Sequence, residues 1–506
     1  MLRTDGIQYK FTENQTLTRE INYFGFMKKE RLISIAAGII AVALATALFS
    51  CKVTTKYGPG PSKVANRPNI VLINVDDLGW SDLGCMGSDY YETPNIDRLS
   101  REGMLFRQAY AGASNCAPSR ACMLSGLNTP RHGVYTVSPS TRGKSQDRKL
   151  IPVENSNFLP LEMYTFPEML RTAGYVTACF GKWHIGENPA DQGFDVHAAG
   201  NHMGNPGAQG YVAPFKIPGL EEAPAGAYLT DQLTDKALAF LDQYRDSTFF
   251  LYLPYYAVHT PIMSKPELQA AFSEKAGSKG HHRADYAGMI AAVDNNVGRL
   301  MDKLSELGLD RKTLVIFTSD NGGLCDVTKQ YPLRAGKGTY YEGGIRVPLI
   351  VRWPDVIKSG YQADARVSQL DFYPTLQSLV QPARPAEQLD GQNILPLLQG
   401  KTLPQRDLYF HFPVYLEAGR DKEGLPDSLF RTRPGSVVIS GDWKLHHYFE
   451  DNRLELYDLA GDPGENNNLA TARSELVQSL YAKLDTWRKT TGAPIPEQLN
   501  PEYSGR

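Results

Sequence analysis

Short apolar runs alternate along the chain with longer segments of helical periodicity. Five runs are rich in β-branched or aromatic residues and lack strict alternation of polar and apolar positions. They cover residues 70–75, 176–180, 249–253, 314–318 and 347–351. Helical periodicity is clearest over residues 231–244 and 286–307. Strands that are apolar on both faces and separated by helices predict a parallel or mixed sheet covered on both sides, so the predicted fold class is α/β.

The pattern changes near residue 400, after a Pro-containing stretch over residues 381–400. Beyond it, residues 436–446 and 453–459 predict paired strands, and residues 474–490 predict a closing amphipathic helix. This order indicates a small antiparallel sheet with one helix packed on it. We therefore predict a large domain over residues 69–400 and a smaller C-terminal subdomain over residues 401–506.

The N-terminal region has the layout of an export signal. Residues 32–49 are uncharged and apolar, and basic residues directly precede them. The Leu-Phe-Ser-Cys sequence over residues 48–51 resembles a bacterial lipobox, in which the cysteine receives a lipid. We predict an extension and lipoprotein signal peptide over residues 1–50, with Met27 as a conventional start. Residues 51–68 then form a tether that anchors an exported protein through Cys51 in the periplasm or outer membrane. Because the apolar run is also long enough to span a bilayer, an uncleaved helical anchor remains the alternative.

Composition narrows the function further. The 506 residues carry a net charge of -2, which argues against a nucleic-acid partner because such binding needs a basic face. The six cysteines show no C-x-x-C spacing and do not form a disulfide-dense framework. The chain is long enough for a deep enzyme-sized core.

Polar side chains follow four of the predicted strands where each one ends. The first strand runs into Asp76 and Asp77, and the fourth runs into Asp320 and Asn321. The second and third strands are followed by the remaining polar groups, namely Lys182, His184 and His259. Ligands of open α/β sheets bind beyond the carboxyl ends of the strands, so these groups are expected at one rim.

The four acidic and amide residues at this rim form an all-oxygen set, which suits Ca²⁺ or Mg²⁺ better than zinc. Asp, Asn and Gly are also the usual turn residues, and each pair taken alone is explained by a turn. Two such pairs after two apolar strands favour a metal site.

Cys116 opens the segment Cys-Ala-Pro-Ser-Arg-Ala-Cys-Met-Leu-Ser-Gly over residues 116–126. Pro118 suits the first turn of a helix, which places Cys116 at a helix N-terminus where backbone donors favour an anion. Arg120, one turn later, faces the same side. Two other interpretations are open from these residues: a buried cysteine before an ordinary helix, or a thiolate whose pKa the helix dipole lowers.

This segment resembles the C-x-P-x-R-x-x-x-x-[ST]-G signature of the type I sulfatases, in which the cysteine is converted to Cα-formylglycine. Residues 181–186, 259–261, 319–323 and 337–348 resemble further blocks of the same family. The resemblance extends over about residues 68–470. It implies an alkaline-phosphatase-like fold, one Ca²⁺, a sulfated carbohydrate substrate and a formylglycine-generating maturation enzyme as partner.

The resemblance also implies roles for individual residues. The metal ligands would be Asp76, Asp77, Asp320, Asn321 and the modified Cys116. Six residues would be catalytic. Arg120 would orient the hydrated aldehyde, Lys182 and Lys337 would stabilise the sulfuryl oxygens, His259 would protonate the leaving oxygen, and His184 would act as the base that releases sulfate from formylglycine derived from Cys116.

Two alternatives remain from the sequence. A phosphatase or phosphonate hydrolase on the same scaffold would need further ligands for a second metal, and a non-catalytic glycan-binding lipoprotein would lack site residues. The specificity loops are expected near residues 201–210 and 411–431. There His202 and His411 lie in loop-like segments within possible reach of the substrate.

Overall fold

The computed structural model describes residues 67–505. The predicted signal peptide, Cys51 and the tether up to residue 66 lie outside the described residues. The strands are β1 Asn69–Val75, β2 Met104–Tyr110, β3 Val176–Phe180, β4 Val196–Ala198, β5 Phe249–Pro254, β6 Thr313–Ser319, β7 Arg346–Arg352, β8 Tyr361–Ala363, β9 Val367–Ser368, β10 Leu408–Phe412, β11 Leu416–Glu417, β12 Phe430–Thr432, β13 Gly435–Ser440, β14 Trp443–Tyr448 and β15 Leu454–Asp458.

The helices are α1 Pro94–Glu102, α2 Cys116–Ser125, α3 Thr129–His132, α4 Phe166–Thr172, α5 Leu229–Tyr244, α6 Pro266–Ala270, α7 Ala284–Glu306, α8 Glu342–Ile345, α9 Phe372–Val380, α10 Leu395–Leu398 and α11 Ser474–Thr491. Among the described residues, no helix is both long enough and apolar enough to cross a membrane.

A nine-stranded mixed sheet forms the centre of the molecule. Its strand order is β4-β3-β5-β1-β6-β7-β2-β8, and β9 lies beside β2. The strands from β4 to β6 in this order are parallel, whereas β7 is antiparallel to both of its neighbours. All five predicted apolar runs are strands of this sheet. Because β5, β1 and β6 are parallel neighbours, their carboxyl ends meet at one edge.

Alternate residues of β1 enter two different hydrophobic cores. Val71, Ile73 and Val75 pack with α1, α5 and α7 on one face of the sheet. Ile70 and Leu72 pack with α2, α4 and α9 on the other. A strand covered on both faces buries successive side chains, which explains the apolar run from Ile70 to Ile73 and the burial of all seven residues of β1.

A second, antiparallel sheet has the order β10-β13-β14-β15. Val438, Leu445 and Leu456 on one face pack against α11. The opposite face packs Val437 and Ile439, with Phe410 of β10, against aromatic and apolar residues of the large sheet region. The predicted C-terminal sheet and closing helix are thus present. The domain boundary at residues 400 and 401 stays a prediction, since residues 67–505 belong to one compact unit.

Two local differences from the sequence prediction have physical reasons. Residues 436–446 are not one strand, because Gly441 adopts a positive φ of 56° and turns the chain between β13 and β14. Strands β2 and β10 were not predicted. Polar residues interrupt both of their sequences, and both depend on partners distant in the chain, β7 for β2 and β13 for β10.

Candidate active site

The carboxyl ends of β1 and β6 bring three carboxylates into contact. Asp76 and Asp77 follow β1, and Asp320 follows β6, its direct parallel neighbour. One oxygen atom of each carboxylate lies within 4.8 Å of the others. The main-chain N–H of Asp77 donates to Oδ1 of Asp320 over 3.2 Å. All three residues are almost fully buried, so a strong positive charge is needed to hold them together.

The backbone at this edge is shaped to aim these side chains inward. Asp77 has a φ of 62°, a left-handed conformation that Asp tolerates better than most residues. The pairing of β1 with the chain after β5 continues past the strand, since the N–H of Asp76 donates to the carbonyl of Ala257 over 2.8 Å. The N–H of Val258 donates in turn to the carbonyl of Asp76 over 2.7 Å.

Asn321 supplies the observation that tests this cluster as a cation site. The Nδ2 of Asn321 donates to Oδ1 of Asp77 over 2.8 Å, so the Oδ1 of Asn321 points away from that carboxylate. That Oδ1 is buried and has no hydrogen-bond partner among residues 67–505. A buried, unpartnered amide oxygen is costly unless another group binds it. Rotating this amide about its Cβ–Cγ bond would exchange Nδ2 and Oδ1, and Oδ1 with the three carboxylates would then make an all-oxygen donor set that fits a hard divalent cation.

Cys116 is the first residue of α2 and lies against the same carboxylates. Its Sγ is 3.4 Å from Oδ1 of Asp76, 3.8 Å from Oδ1 of Asp77 and 3.1 Å from Nζ of Lys337. Burial, reinforced by Asp76, raises the pKa of the thiol to about 12. This direction runs against the interpretation as a thiolate whose pKa the helix dipole lowers.

Three cations surround the carboxylates. Nε of Arg120 donates to Oδ2 of Asp320 over 2.9 Å, and its Nη1 donates to the carbonyl of Lys182 over 2.8 Å. Nζ of Lys182 lies 2.6 Å from Oδ2 of Asp76. Nζ of Lys337 lies 2.7 Å from Oδ1 of Asp77. Each of these predicted catalytic cations is thus paired with a predicted metal ligand, so the three positive charges offset those of the three carboxylates.

The two predicted histidines border the same cluster. Nδ1 of His259 donates to the carbonyl of Thr260 over 2.7 Å, which leaves Nε2 directed at the site, 3.8 Å from Oδ2 of Asp77. Burial, followed by the charge of Lys337, lowers the pKa of His259 to about 3. His184 has a φ of 67°, and its Nδ1 is buried without a hydrogen-bond partner in the described part of the chain. Burial and Lys182 lower the pKa of His184 well below its usual value.

The other two histidines considered in the sequence lie elsewhere. His202 is exposed and pairs with Glu187 over 2.8 Å. The loop prediction for His411 is wrong, because it belongs to β10 and is buried. Its Nδ1 lies 2.8 Å from the hydroxyl of Ser436, and its Nε2 lies 2.9 Å from the carbonyl of Pro494. Both ring nitrogens are therefore engaged within the protein.

Sequence reasoning did not identify two structural neighbours of the site. Gly204 lies against His184, where an added Cβ would be 2.4 Å from the ring atom Cε1. Arg431 of β12 donates from Nη1 to the main-chain carbonyl of Lys337 over 3.3 Å. Both residues lie within the expected specificity loops, residues 201–210 and 411–431, although the composition of these loops does not indicate the two contacts.

Comparisons with known proteins agree with this geometry. A family model described as "Sulfatase" matches residues 68–382, and one described as "N-sulphoglucosamine sulphohydrolase, C-terminal" matches residues 336–490. A protein of Formosa agariphila named "Sulfatase" is 34% identical, over 85% of this chain and 90% of the relative. The N-acetylgalactosamine-6-sulfatase of Canis lupus familiaris is 33% identical, over 91% and 93%.

Among solved structures, Ps i-CgsB in complex with k-i-k-neocarrahexaose is similar with a TM-score of 0.70 and 28% identity, covering 86% of this chain and 95% of that one. The chain therefore belongs to the type I sulfatase family. It is a sulfuric ester hydrolase with an alkaline-phosphatase-like fold, and both expectations from the sequence are confirmed.

Proposed function

We propose that this enzyme hydrolyses sulfate esters of a carbohydrate in a calcium-dependent reaction that uses formylglycine made from Cys116. One observation carries the proposal. The Sγ of Cys116 lies 3.4 Å from Oδ1 of Asp76, against three carboxylates that suit a hard cation, and burial raises the pKa of its thiol. A protonated thiol is a poor nucleophile and a poor ligand for a hard cation, and an oxygen function at the same position suits both tasks.

The residues that would hold the cation are Asp76, Asp77, Asp320 and Asn321, together with the converted side chain at 116. When present, the cation and the hydrated aldehyde supply charge stabilisation and the attacking hydroxyl. Lys182 is held by Asp76 and Lys337 by Asp77, so a sulfate group bound at this cluster meets the fixed positive charge of both lysines. Arg120 holds its position through Asp320 and orients the hydroxyl-bearing side chain.

His259 is our proposed acid for the leaving oxygen. Its Nδ1–H is fixed by Thr260, so the proton to be transferred sits on Nε2, which faces the carboxylate cluster. Bound sulfate places a negative charge near this ring and raises its pKa from the low value of the free site. His184, whose buried Nδ1 has no partner in residues 67–505, serves as the base that accepts a proton when sulfate is released.

The proposed substrate class is inferred from proteins that are similar to this chain. The dog relative is named for N-acetylgalactosamine 6-sulfate, and the similar solved structure holds a neocarrahexaose. We therefore propose a sulfated sugar unit rather than a small aryl sulfate. A panel of sulfated galactose, N-acetylgalactosamine, glucosamine and fucose oligosaccharides, with sulfate release as readout, identifies the sugar.

The central experiment combines mass spectrometry with two variants. Protein from a host able to install the aldehyde should contain formylglycine at position 116, and Cys116→Ala should fold yet lose nearly all turnover. Cys122→Ala is the matched control, since Cys122 is a buried cysteine of the same helix that contacts His132 instead of the carboxylates. Normal rates in Cys116→Ala would refute the mechanism.

A second comparison separates sulfatase from phosphatase chemistry on this scaffold. Rates on paired sulfate and phosphate esters are measured with and without a calcium chelator. The proposal expects the sulfate ester to be preferred and its hydrolysis to fall with chelation. Preference for the phosphate ester would favour the phosphatase or phosphonate hydrolase alternative.

We further propose that the enzyme is exported and anchored through a lipid on Cys51, in the periplasm or outer membrane. The support is the basic and apolar order of residues 28–49 followed by the lipobox-like sequence. Labelling with a radioactive fatty acid should mark the wild type and not Cys51→Ser, which should move to the soluble fraction. A membrane-bound and unlabelled wild type would favour the uncleaved helical anchor.

A further inference from the structure

A short hairpin forms a wall beside the catalytic lysine. Strands β11 and β12 pair antiparallel with a bulge between Leu416 and Glu417. The hydroxyl of Thr432 donates to the carbonyl of Gly338, and the N–H of Gly338 donates to the carbonyl of Ser114, two residues before Cys116. The hairpin is therefore attached directly to the two segments that supply the nucleophile and Lys337.

Arg431 projects from this hairpin onto the main chain of Lys337. Its Nη1 donates to the Lys337 carbonyl over 3.3 Å, and its Nε donates to the Glu417 carbonyl over 2.8 Å. Both acceptors are main-chain oxygens. Nη2 donates to nothing among the described residues, and no carboxylate in that part of the chain lies within salt-bridge distance of the guanidinium. Arg431 is thus a half-buried cation whose charge is not neutralised locally.

Two nearby arginines, unlike Arg431, have carboxylate partners. Arg433, two residues later on the same chain segment, pairs with Asp427 and Glu450, each over 2.6 Å. The one carboxylate of the hairpin strands, Glu417, is already held by Arg142 over 2.5 Å. The single negative charge of Glu417 thus lies near two guanidinium groups, those of Arg142 and Arg431. Burial lowers the pKa of Arg431, and the opposing effect of Glu417 offsets this only in part.

Asp326, another acidic group near Arg431, is also engaged. Asp326 accepts the main-chain N–H groups of Arg420 and Asp421 in the hairpin loop. Removing a guanidinium from water without a carboxylate partner is unfavourable, and such groups mark places where an anionic ligand completes the pairing. Arg431 contacts the main-chain carbonyl of Lys337, and Nζ of the same lysine lies 3.1 Å from Sγ of Cys116, so one residue connects the guanidinium to the candidate nucleophile.

We propose that Arg431 binds a second anionic group of the carbohydrate, a sulfate or a carboxylate on the sugar next to the one being desulfated. The inference rests on the proposed function and deepens it, since it assigns a polyanionic glycan as the preferred substrate. Arginine suits this task because its planar fork binds sulfate-like and carboxylate groups through two parallel hydrogen bonds.

The test uses three disaccharides that carry the same scissile sulfated sugar, as identified by sulfate release. The neighbouring sugar is neutral, O-sulfated or a uronate. In wild type, kcat/KM should be about tenfold or more higher with a charged neighbour than with the neutral one, the scale of a charge-assisted hydrogen-bonded pair. Whichever charged neighbour gives the higher value identifies the anion. This selectivity should shrink as salt is added.

Four variants on the hairpin, one of them a control, locate the effect. Arg431→Gln should reduce the selectivity ratio about tenfold, to near one, and Arg431→Lys should restore part of it. Glu417→Gln removes the shared carboxylate and should raise the ratio. Arg420→Gln is the matched control, because it removes the same charge from an exposed position on the hairpin loop and should leave the ratio unchanged.

The outcomes separate this inference from the proposed function. If wild type releases no sulfate from any ester, the proposed function fails. If it releases sulfate with equal kcat/KM for charged and neutral neighbours, only the second-anion site fails, and that result needs no variant to fold. Retention of the wild-type ratio in Arg431→Gln would likewise overturn it.

Discussion

Replacement of Lys444 tests how much a buried ion-pair network between the two sheets contributes to stability. Its side chain is fully buried on β14 and lies between two carboxylates, 3.0 Å from Glu342 and 2.9 Å from Glu465. Glu342 begins α8, next to the large sheet, and also accepts the hydroxyl of Tyr110 over 2.8 Å. The network therefore connects the small sheet to the segment that leads from Lys337 into β7.

Replacing Lys444 with Met keeps most of the volume and removes the charge. Breaking a buried ion pair from one side costs about 3–5 kcal/mol, because a buried charge is left without compensation. The lower end is expected here for two reasons. Glu342 retains Arg346 at 3.4 Å, and burial raises the pKa of Glu465 to about 7, so that this carboxyl takes up a proton readily. We expect a loss of about 3 kcal/mol near pH 7.

The assay is thermal and urea unfolding. An unfolding entropy of about 2.1 cal/mol/K per residue over about 440 residues gives roughly 0.9 kcal/mol/K, so the expected Tm decrease is about 3 °C. Lys489→Met is the matched control. Lys489 is largely exposed in an i,i+4 pair with Asp485, and its loss should cost less than about 0.5 kcal/mol. Equal Tm values for Lys444→Met and the control would refute the argument from burial.

Three further outcomes are expected. Burial raises the folded-state pKa of Glu465, so its protonation favours folding below the unfolded value, and this contribution is lost as pH rises towards 7. The Tm of Glu465→Gln relative to wild type should therefore increase between pH 5 and pH 8, and a flat difference would contradict the raised pKa. Calcium at about 100 times its Kd should stabilise the protein by about 2.7 kcal/mol in urea unfolding, and Asn321→Ala should lose most of that gain if its unpartnered Oδ1 is a ligand. Gly204→Val should displace the His184 ring and lower kcat about tenfold or more with little change in Tm, whereas unchanged kcat would remove His184 from the mechanism.

Much of the catalytic cluster was readable from local sequence. Each polar group follows an apolar run that is long enough to be one buried strand, and parallel strands deliver their ends to one edge. That reasoning placed Asp76, Asp77, Asp320 and Asn321 together before any distance was known. The signature around Cys116 identified the family, because its fixed positions serve the chemistry and are contiguous in the chain.

The tertiary structure alone decided how these groups are paired and what surrounds them. Lys182 faces Asp76 across 106 positions of the chain, and Arg431 meets the Lys337 carbonyl across 94 positions. Such contacts depend on strand register and on side-chain packing between distant segments, and no local pattern encodes them. The raised pKa of Cys116 belongs to the same class, because it follows from burial and from the charges that the fold gathers around the thiol. The sequence by itself thus determined which elements form and which chemically active residues they carry. The packing of those elements decided how the charged groups of the site are paired, how their pKa values shift and which surface faces the rest of the substrate.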